Sequence, residues 1–553
     1  MKFLFYNLLF FLVFAITGCQ SGFEKPEGKT VFRYNESAGI SSLDPAFARD
    51  QANIWATNQI FNGLVQLDDS LLVKPSLAKY WEVLDSGRTY IFHLRSDVFF
   101  HNNACFEDSL GRKMIASDVV YSLKRVLDIR TLSPGAVWLS NLLQKDSMDE
   151  YAIQAINDST INIQLKQAFA PFLGRLSMQY FSVIPHEAVE MYGKDFSRHP
   201  VGTGPFYYKL WKEGVKLVLL KNPKYFESDE VGQLPHLDAV AISFIIDKQS
   251  VFLEFVKGNI DFISGIDPSY KDELLQGDGS LNPKYRDRFK LMSSPYLNTE
   301  YLGVIVEDIE LMKNSPLRLR KIRQAINYSF DRKKMMRYLR NNIGIAGNFG
   351  FVPVGMPGFE GGVTKGYDYN PDKALQLLKE AGFPNGEGMP KITLSTTAAY
   401  LDICKYIQQQ AEQVGIKMEV DVNQAAALRQ MIANSKMPFF RGSWIADYAD
   451  PENYLALFYT PNFCPAGANY THYSNPKFDQ MYELARGETN LQKRLTLYRQ
   501  MDQMVLDDAP VIVLYYDKVL RFVQKNINYL GINSMNLLVL KNVIKSKKPT
   551  LNK

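Results

Sequence analysis

Cysteine and histidine are scarce in this chain of 553 residues, which contains 4 of the first and 6 of the second. The histidines are scattered, without HExxH or any other metal-ligand spacing. A GxSxG nucleophile motif and a phosphate-binding glycine loop are also missing. These absences argue against zinc enzymes, serine hydrolases and nucleotide-binding proteins. We therefore expect no catalytic residue, no metal site and no cofactor.

Neither sign of charge dominates the chain. The 63 lysines and arginines nearly balance the 58 aspartates and glutamates, which leaves a net charge of +5. This small excess forms no basic stripe, so a nucleic-acid partner is not expected. Charged residues make up 22% and aromatic residues 13% of the chain, which is typical of a globular protein with a large core. The length predicts several lobes around separate cores.

The one long apolar run lies at the N-terminus. Met1 and Lys2 give it a positive start, residues 3–15 are mostly apolar, and residues 16–19 end it with Ile, Thr, Gly and Cys19. This pattern predicts a secretion signal over residues 1–18 and not a membrane span. Residues 16–19 resemble the lipobox of bacterial lipoproteins, which implies that Cys19 is the lipidated N-terminus of the mature protein. Residues 19–29 would then form a flexible tether.

Helix and strand patterns alternate along the rest of the chain. Residues 90–94 alternate apolar and polar side chains, as a half-buried strand does. Helix start signals stand at Ser117, Pro316 and Asn370. Gly202, Gly204 and Pro205 are expected to shape a turn where the chain crosses between lobes, since glycine permits a positive φ and proline fixes its neighbour. The sequence therefore predicts a mixed α/β protein.

Short segments that match one known family follow each other in the family's order over nearly the whole mature chain. They are residues 42–46, 60–65, 74–78, 90–95, 116–122, 201–206, 221–226, 323–327, 446–451 and 509–516. Together they resemble the extracytoplasmic solute-binding proteins of oligopeptide and dipeptide ABC importers.

The resemblance implies an α/β clamshell of the periplasmic-binding-protein type, with two lobes and an extra third domain. The first lobe is expected to combine residues 30–60, 200–295 and 510–553. A small second domain would cover residues 61–199, and the third lobe residues 296–509. Two strands that cross between lobes would form a hinge, and closure would bury the ligand between the lobes.

One segment, residues 439–448, carries the chemistry of a site for a zwitterion. A buried ammonium needs a carboxylate partner, and a buried carboxylate is matched best by the planar fork of arginine. Asp447 and Arg441 supply both groups, and Trp444 between them would form a flat apolar wall. This set favours a peptide with free ends over a neutral sugar.

The resemblance assigns a role to each of these charged residues. Asp447 matches the residue that takes the α-ammonium of the peptide in oligopeptide-binding proteins, and Arg441 matches an arginine that can meet the terminal carboxylate. Gly39, Ile40 and Ser41 would lie at a sheet edge to which the peptide adds as a strand.

Two aromatic residues, Trp138 and Tyr301, are expected by the same resemblance to form pocket walls. Residues 423–427 depart from the family pattern, because they are small or polar where some peptide binders carry a large aromatic side chain. This departure leaves the length of the ligand open.

The implied function is a lipid-anchored receptor that captures short peptides and delivers them to an ABC-type permease in the membrane. We expect a monomer without enzymatic activity, held through Cys19 at the periplasmic or extracytoplasmic face of a membrane. Which membrane holds it stays open. Two alternatives are the same fold with a non-peptide ligand (an oligosaccharide, a nickel chelate or haem) and a docking lipoprotein without a role in transport.

Overall fold

The computed structural model describes residues 28–267, 269–307 and 309–547. The predicted signal peptide, Cys19 with its predicted lipid, and most of the predicted tether lie outside the described residues. Within the described ranges, no helix combines the length and the hydropathy that crossing a bilayer requires.

In the described ranges, 21 strands form a large sheet, a four-stranded sheet and three separate pairs. The strands are β1 (Val31–Asn35), β2 (Val65–Leu67), β3 (Val73–Pro75), β4 (Ala78–Leu84), β5 (Thr89–Leu94), β6 (Ile153–Asn157), β7 (Thr160–Gln164), β8 (Phe206–Lys212), β9 (Lys216–Lys221), β10 (Ser228–Asp229), β11 (Gly232–Gln233), β12 (Ala239–Ser243), β13 (Phe262–Ser264), β14 (Phe289–Val304), β15 (Ile345–Ala346), β16 (Ile392–Thr397), β17 (Met418–Asn423), β18 (Phe439–Ile445), β19 (Val511–Gln524), β20 (Ile527–Asn528) and β21 (Ile544–Lys545).

The same ranges contain 15 α-helices. They are α1 (Gln51–Ile60), α2 (Ala116–Leu127), α3 (Val137–Ser140), α4 (Phe172–Leu176), α5 (His186–Tyr192), α6 (Lys248–Lys257), α7 (Lys271–Leu274), α8 (Arg320–Ser329), α9 (Arg332–Leu339), α10 (Pro371–Glu380), α11 (Leu401–Glu412), α12 (Ala425–Ala433), α13 (Glu452–Leu455), α14 (Pro476–Gly487) and α15 (Leu491–Asp508). The predicted mixed α/β class is confirmed.

Helix starts agree with the sequence signals in part. Helix α10 begins as predicted, because the side chain of Asn370 accepts a hydrogen bond from the backbone N–H of Lys373 at 2.9 Å. Helix α2 begins earlier than predicted. Its N-cap is Ile115, whose N–H donates to the Asp118 carboxylate at 2.9 Å, so Ser117 is not the cap.

The large sheet contains 11 strands, in the order β17-β16-β18-β14-β19-β13-β1-β12-β9-β8, and β15 pairs with β19 outside this path. Strands β14 and β19 are antiparallel neighbours, and their register breaks between Pro295 and Thr299. Residues 296–298 therefore bulge out of the ladder. This bulge separates the pairing of residues 289–295 from the pairing that resumes at Thr299, next to the predicted lobe boundary between residues 295 and 296.

Apolar side chains of the described residues are buried in four clusters. The largest joins both ends of the chain, since Phe32, Phe206 and Leu540 are among its members. A second cluster is built from residues after 296, and Leu71 joins it from the hairpin that β2 and β3 form. Distant segments are therefore packed together, while the division into three lobes with the boundaries given above stays a prediction.

The turn at Gly204 differs from the sequence prediction, because this glycine does not have a positive φ. Its N–H donates to the carbonyl oxygen of Ile60 at 2.8 Å. A Cβ at this position would lie 2.4 Å from the carbonyl carbon of Ile60. Glycine is required here by the close approach of two backbone segments and not by an unusual dihedral angle.

Candidate functional site

A cavity of ≈ 390 Å³ lies where segments from distant parts of the chain meet. Its walls come from residues 48–51 and 54–55 around the start of α1, from residues 177–180 after α4, and from residues 445–447 at the end of β18. Leu67, Tyr296, Met535 and Leu537 complete the lining. The cavity is the place where one of the predicted charged residues, Asp447, faces open space.

Local features of the sequence place these walls. Asp50 caps α1, because its Oδ1 accepts a hydrogen bond from the backbone N–H of Asn53 at 3.0 Å. Strand β18 leaves the ladder after Ile445, and the N–H of Ala446 turns back to the carbonyl oxygen of Leu297 at 2.9 Å. The bulge in β14 contributes Tyr296 to the lining.

Asp447 is half-buried, and a neutral amide is its hydrogen-bond partner. Its Oδ2 accepts from Nδ2 of Asn453 at 3.3 Å, and no cation in the described ranges forms an ion pair with it. Burial raises the pKa of the Asp447 carboxyl, while Asn453 and the nearby Arg175 oppose this shift. Burial acts in this direction because it disfavours the charged form. The carboxylate therefore has room and charge for one incoming cation.

Trp444 supports Asp447 indirectly. Its indole Nε1 donates to Oδ1 of Asn453 at 2.9 Å, and the same oxygen accepts from the backbone N–H of Asp447 at 3.3 Å. The ring of Trp444 packs against the second apolar cluster and is not part of the cavity lining. A role of Trp444 as a wall for the ligand stays a prediction. Its hydrogen bond to Asn453 holds that side chain in place.

Arg441 lies outside the cavity lining and already has a partner. Its guanidinium forms a buried ion pair with Glu300 on the neighbouring strand β14. The guanidinium carbon lies 3.2 Å from the ring centroid of Tyr400, so the cation is covered on one face. Burial raises the pKa of Glu300, and Arg441 opposes that shift. A role for Arg441 in ligand binding stays a prediction. In this structure its guanidinium is paired with the carboxylate of Glu300.

The segment of Gly39, Ile40 and Ser41 follows β1 and lies outside the strands. The N–H of Gly39 donates to the carbonyl oxygen of Glu36 at 3.1 Å, and the N–H of Ser41 to Oδ1 of Asn53 at 3.1 Å. Ile40 is buried. Two of the three N–H groups are therefore paired within the protein, and none of these residues lines the cavity. Addition of a peptide strand to this segment stays a prediction.

Tyr301 is a core residue, only 2% exposed, and packs edge-on against Phe351 with ring centroids 5.0 Å apart. Like Arg441, it lies on the paired part of β14 and β18 and outside the cavity lining. Its role as a pocket wall is untested.

Trp138 contacts Tyr448 and Arg175, which lie close in sequence to two of the cavity walls. The indole packs edge-on against Tyr448 with ring centroids 5.9 Å apart. The backbone carbonyl oxygen of Trp138 accepts a hydrogen bond from Nη1 of Arg175 at 3.2 Å. Arg175 also donates to the Tyr448 hydroxyl at 2.9 Å and lies 3.6 Å from the Glu452 carboxylate. This polar contact ties the segment before residues 177–180 to the segment after Asp447.

Several cavity residues were missed by the sequence reasoning, among them Arg49, Trp55, Tyr180 and Tyr296. The aromatic content is a property of the whole chain, so it does not say which rings line a cavity. Arg49 belongs to no motif, and only its position just before the N-cap of α1 distinguishes it.

Among the described residues, one group of side chains has the spacing for a metal ion, namely Asp118, His186 and Glu187. Arg112 fills this group, because its guanidinium donates to Asp118 at 2.9 Å and to Glu187 at 2.5 Å. Both carboxylates thus already pair with Arg112, so the group does not fit a metal ion.

The fold and the cavity between distant segments define a solute-binding protein of the clamshell type. Residues 73–463 match the family model described as bacterial extracellular solute-binding proteins, family 5 Middle. The chain belongs to this family.

Similar proteins from bacteria match this chain over most of its length and of their own. The chain is 25% identical over 483 residues to a dipeptide-binding protein of Escherichia coli, which covers 85% of each chain. It is 26% identical over 504 residues to heme-binding protein A of Haemophilus influenzae, over 88% of this chain and 87% of that protein. The solved structure of a periplasmic binding protein from Helicobacter pylori with the peptide STSA superposes with a TM-score of 0.71 at 24% identity, over 94% of this chain and 98% of that chain. The predicted family fold of two lobes and an extra domain is thereby confirmed.

Proposed function

We propose that this protein is a receptor that binds short peptides in the cavity beside Asp447 and delivers them to an ABC permease. The observation that carries the proposal is a half-buried carboxylate that faces the cavity and has no cationic partner among the described residues. A desolvated carboxylate of this kind gains most from an ammonium that fills the remaining space. The α-ammonium of a peptide is such a group.

The lining of the cavity also favours a peptide over a haem or a metal chelate. It contains no histidine or cysteine, the side chains that most often ligate a transition metal. Its aromatic and aliphatic side chains can instead hold the side chains of a peptide, and closure around the ligand would present both lobes to the permease. The mature chain would be held to a membrane by lipid on Cys19.

The test is calorimetry of the dipeptide Ala-Leu and of N-acetyl-Ala-Leu with the wild type and with Asp447→Asn. The loss of the carboxylate is expected to weaken binding of Ala-Leu by about 2–5 kcal/mol, because it leaves a buried ammonium unpaired. N-acetyl-Ala-Leu is expected to bind weakly to both proteins. Asp372→Asn, an exposed aspartate in the first turn of α10, is the matched control.

Unchanged affinity for Ala-Leu in Asp447→Asn, or equal affinity of the wild type for the acetylated peptide, would contradict the role of Asp447. Mass spectrometry of the ligand that co-purifies from the native host identifies the ligand class. A series of short peptides would support the proposal, whereas a sugar, a haem or a metal chelate would overturn it. The lipid anchor is tested separately, because Cys19→Ser should release the protein from the membrane fraction.

A further inference from the structure

The charged residues of the cavity lining are Arg49, Asp50 and Asp447. Asp50 is already used by the fold, because its two carboxylate oxygens accept hydrogen bonds from the backbone N–H and the side-chain amide of Asn53 at 3.0 and 3.1 Å. Asp447 is the half-buried carboxylate of the lining, and Arg49 is its one cation.

Arg49 lies exposed in the cavity wall, and within the described ranges its guanidinium has no hydrogen bond and no ion pair. Its backbone is held in place, since its N–H donates to the carbonyl oxygen of Phe47 at 2.8 Å and the next residue caps α1. An arginine with a fixed backbone and a free guanidinium can turn toward a ligand without breaking any contact of the fold. Arg441 cannot do so without leaving Glu300 unpaired.

Tyr180 lines the cavity together with the two charged residues, Asp447 and Arg49. Its side chain is buried. Burial raises the pKa of Tyr180 to about 12, Asp447 and Asp50 add to this shift, and Arg49 opposes it. Because Arg49, Tyr180 and Asp447 line the same cavity, a ligand that lies across Tyr180 can reach both charges.

We propose that Arg49 receives the terminal carboxylate of the bound peptide while Asp447 holds its α-ammonium, which selects peptides of two or three residues with apolar side chains. This inference rests on the proposed function and adds the second end of the ligand. The guanidinium fork matches a carboxylate with two parallel hydrogen bonds.

The size of the cavity sets the length. Its volume of ≈ 390 Å³ lies near the lower end of the range of about 300–1,000 Å³ for small-molecule sites. Each added residue of an extended peptide needs about 3.3–3.6 Å of further length. A peptide whose two ends are both held inside this cavity must therefore be short.

The remaining lining sets the side-chain preference. Ile54, Trp55, Met178, Met535 and Leu537 offer apolar surface to the ligand. Once the two termini of the peptide pair with Asp447 and Arg49, an acidic ligand side chain would find no further cation in the lining, and a charged side chain of either sign would lose water against the apolar surface. Uncharged apolar side chains are therefore preferred.

The experiment is calorimetry of Ala-Leu, its C-terminal amide, N-acetyl-Ala-Leu and the hexapeptide (Ala-Leu)₃ with the wild type, Arg49→Gln and Arg429→Gln. Arg429 is an exposed arginine of α12 outside the cavity, so its variant is the matched control. Arg49→Gln is expected to weaken binding of Ala-Leu about tenfold or more, because the loss of one partner strands a desolvated charge. The amide should bind weakly to the wild type and to Arg49→Gln alike, the hexapeptide should bind more weakly than Ala-Leu, and Arg429→Gln should match the wild type.

Two results would overturn the inference: equal affinity of Arg49→Gln and the wild type for Ala-Leu, or an equal loss for the acid and for the amide. The thermal midpoint of Arg49→Gln should equal that of the wild type, since this side chain has no partner in the fold, so misfolding cannot imitate the effect. If Arg49→Gln binds Ala-Leu as tightly as the wild type does, while acetylation of the peptide still abolishes binding, only this inference fails. If the wild type binds none of these peptides, the inference and the proposed function fail together.

Discussion

Arg441 of β18 and Glu300 of β14 form an ion pair between neighbouring strands, and both side chains are almost inaccessible, at 11% and 2% exposure. Tyr400 covers the guanidinium on one face. Close by, Asn298 donates to Asp517 at 2.5 Å, across the bulge that separates the two paired stretches of β14 and β19. Arg441, one of the two charges that the sequence suggests for a ligand, is thus paired within the protein, close to the bulge in β14.

Arg441→Ala is predicted to lower the free energy of unfolding by about 3–5 kcal/mol, because it leaves Glu300 buried without its cation. Replacement of both partners, Arg441→Met with Glu300→Gln, should recover most of this loss. Urea unfolding measures both variants, and the exposed Arg429→Ala serves as the control. A variant that is as stable as the wild type and binds Ala-Leu more weakly would instead assign Arg441 to the ligand.

The affinity for a peptide with a free amino group should decrease as the pH falls, and the decrease should begin above the ordinary aspartate pKa of 3.8. Burial raises the pKa of Asp447, so this carboxylate takes up a proton earlier than an exposed one and then no longer attracts an ammonium. Calorimetry from about pH 8 to about pH 4.5 measures the effect. The same decrease in Asp447→Asn would show that another group is responsible.

Asp502 should make the protein less stable as the pH rises from about 4 to about 7. Burial raises its pKa from 3.8 to about 7, although the N–H of Phe351 donates to it at 2.8 Å. The folded state therefore binds this proton more tightly than the unfolded state, so the contribution to stability is complete below pH 3.8 and is lost as the pH rises through the folded-state value. The expected loss is of the order of 2–4 kcal/mol.

Asp502→Asn should remove most of this pH dependence. Urea midpoints at about pH 5 and about pH 8, for the variant and the wild type, measure it. An equal drop in both proteins between the two pH values would refute the assignment to Asp502.

Gly204→Ala is predicted to destabilise the fold by about 2 kcal/mol or more, because the added Cβ would lie 2.4 Å from the carbonyl carbon of Ile60. Gly174→Ala is the matched control, since a Cβ there would meet no atom within 4 Å and alanine favours the helix α4. Thermal unfolding of the two variants gives the comparison. Similar midpoints would mean that the backbone at Gly204 can shift.

Local patterns predicted local structure well where the cause was local. The start at Asn370 is correct, because an N-cap depends on a side chain and a backbone group three residues away. The start of α2 was misplaced, because the N-cap is Ile115, whose N–H donates to the carboxylate of Asp118, and Ser117 has no part in the cap. Gly204 was identified as special for the wrong reason, since the clash that excludes a Cβ comes from Ile60, far away in the sequence.

The sequence by itself determined the mixed α/β class, the family and the candidacy of Asp447, because ordered motifs and chemical types are readable without coordinates. The tertiary structure alone decided which charges are free. Arg441 and Glu300 are 141 residues apart, and only the pairing of β18 with β14 brings them together. The cavity is likewise assembled from residues 48–55, 177–180 and 445–447 with Tyr296 in the bulge, so Arg49 faces the same space as Asp447 through packing of segments that are distant in the chain.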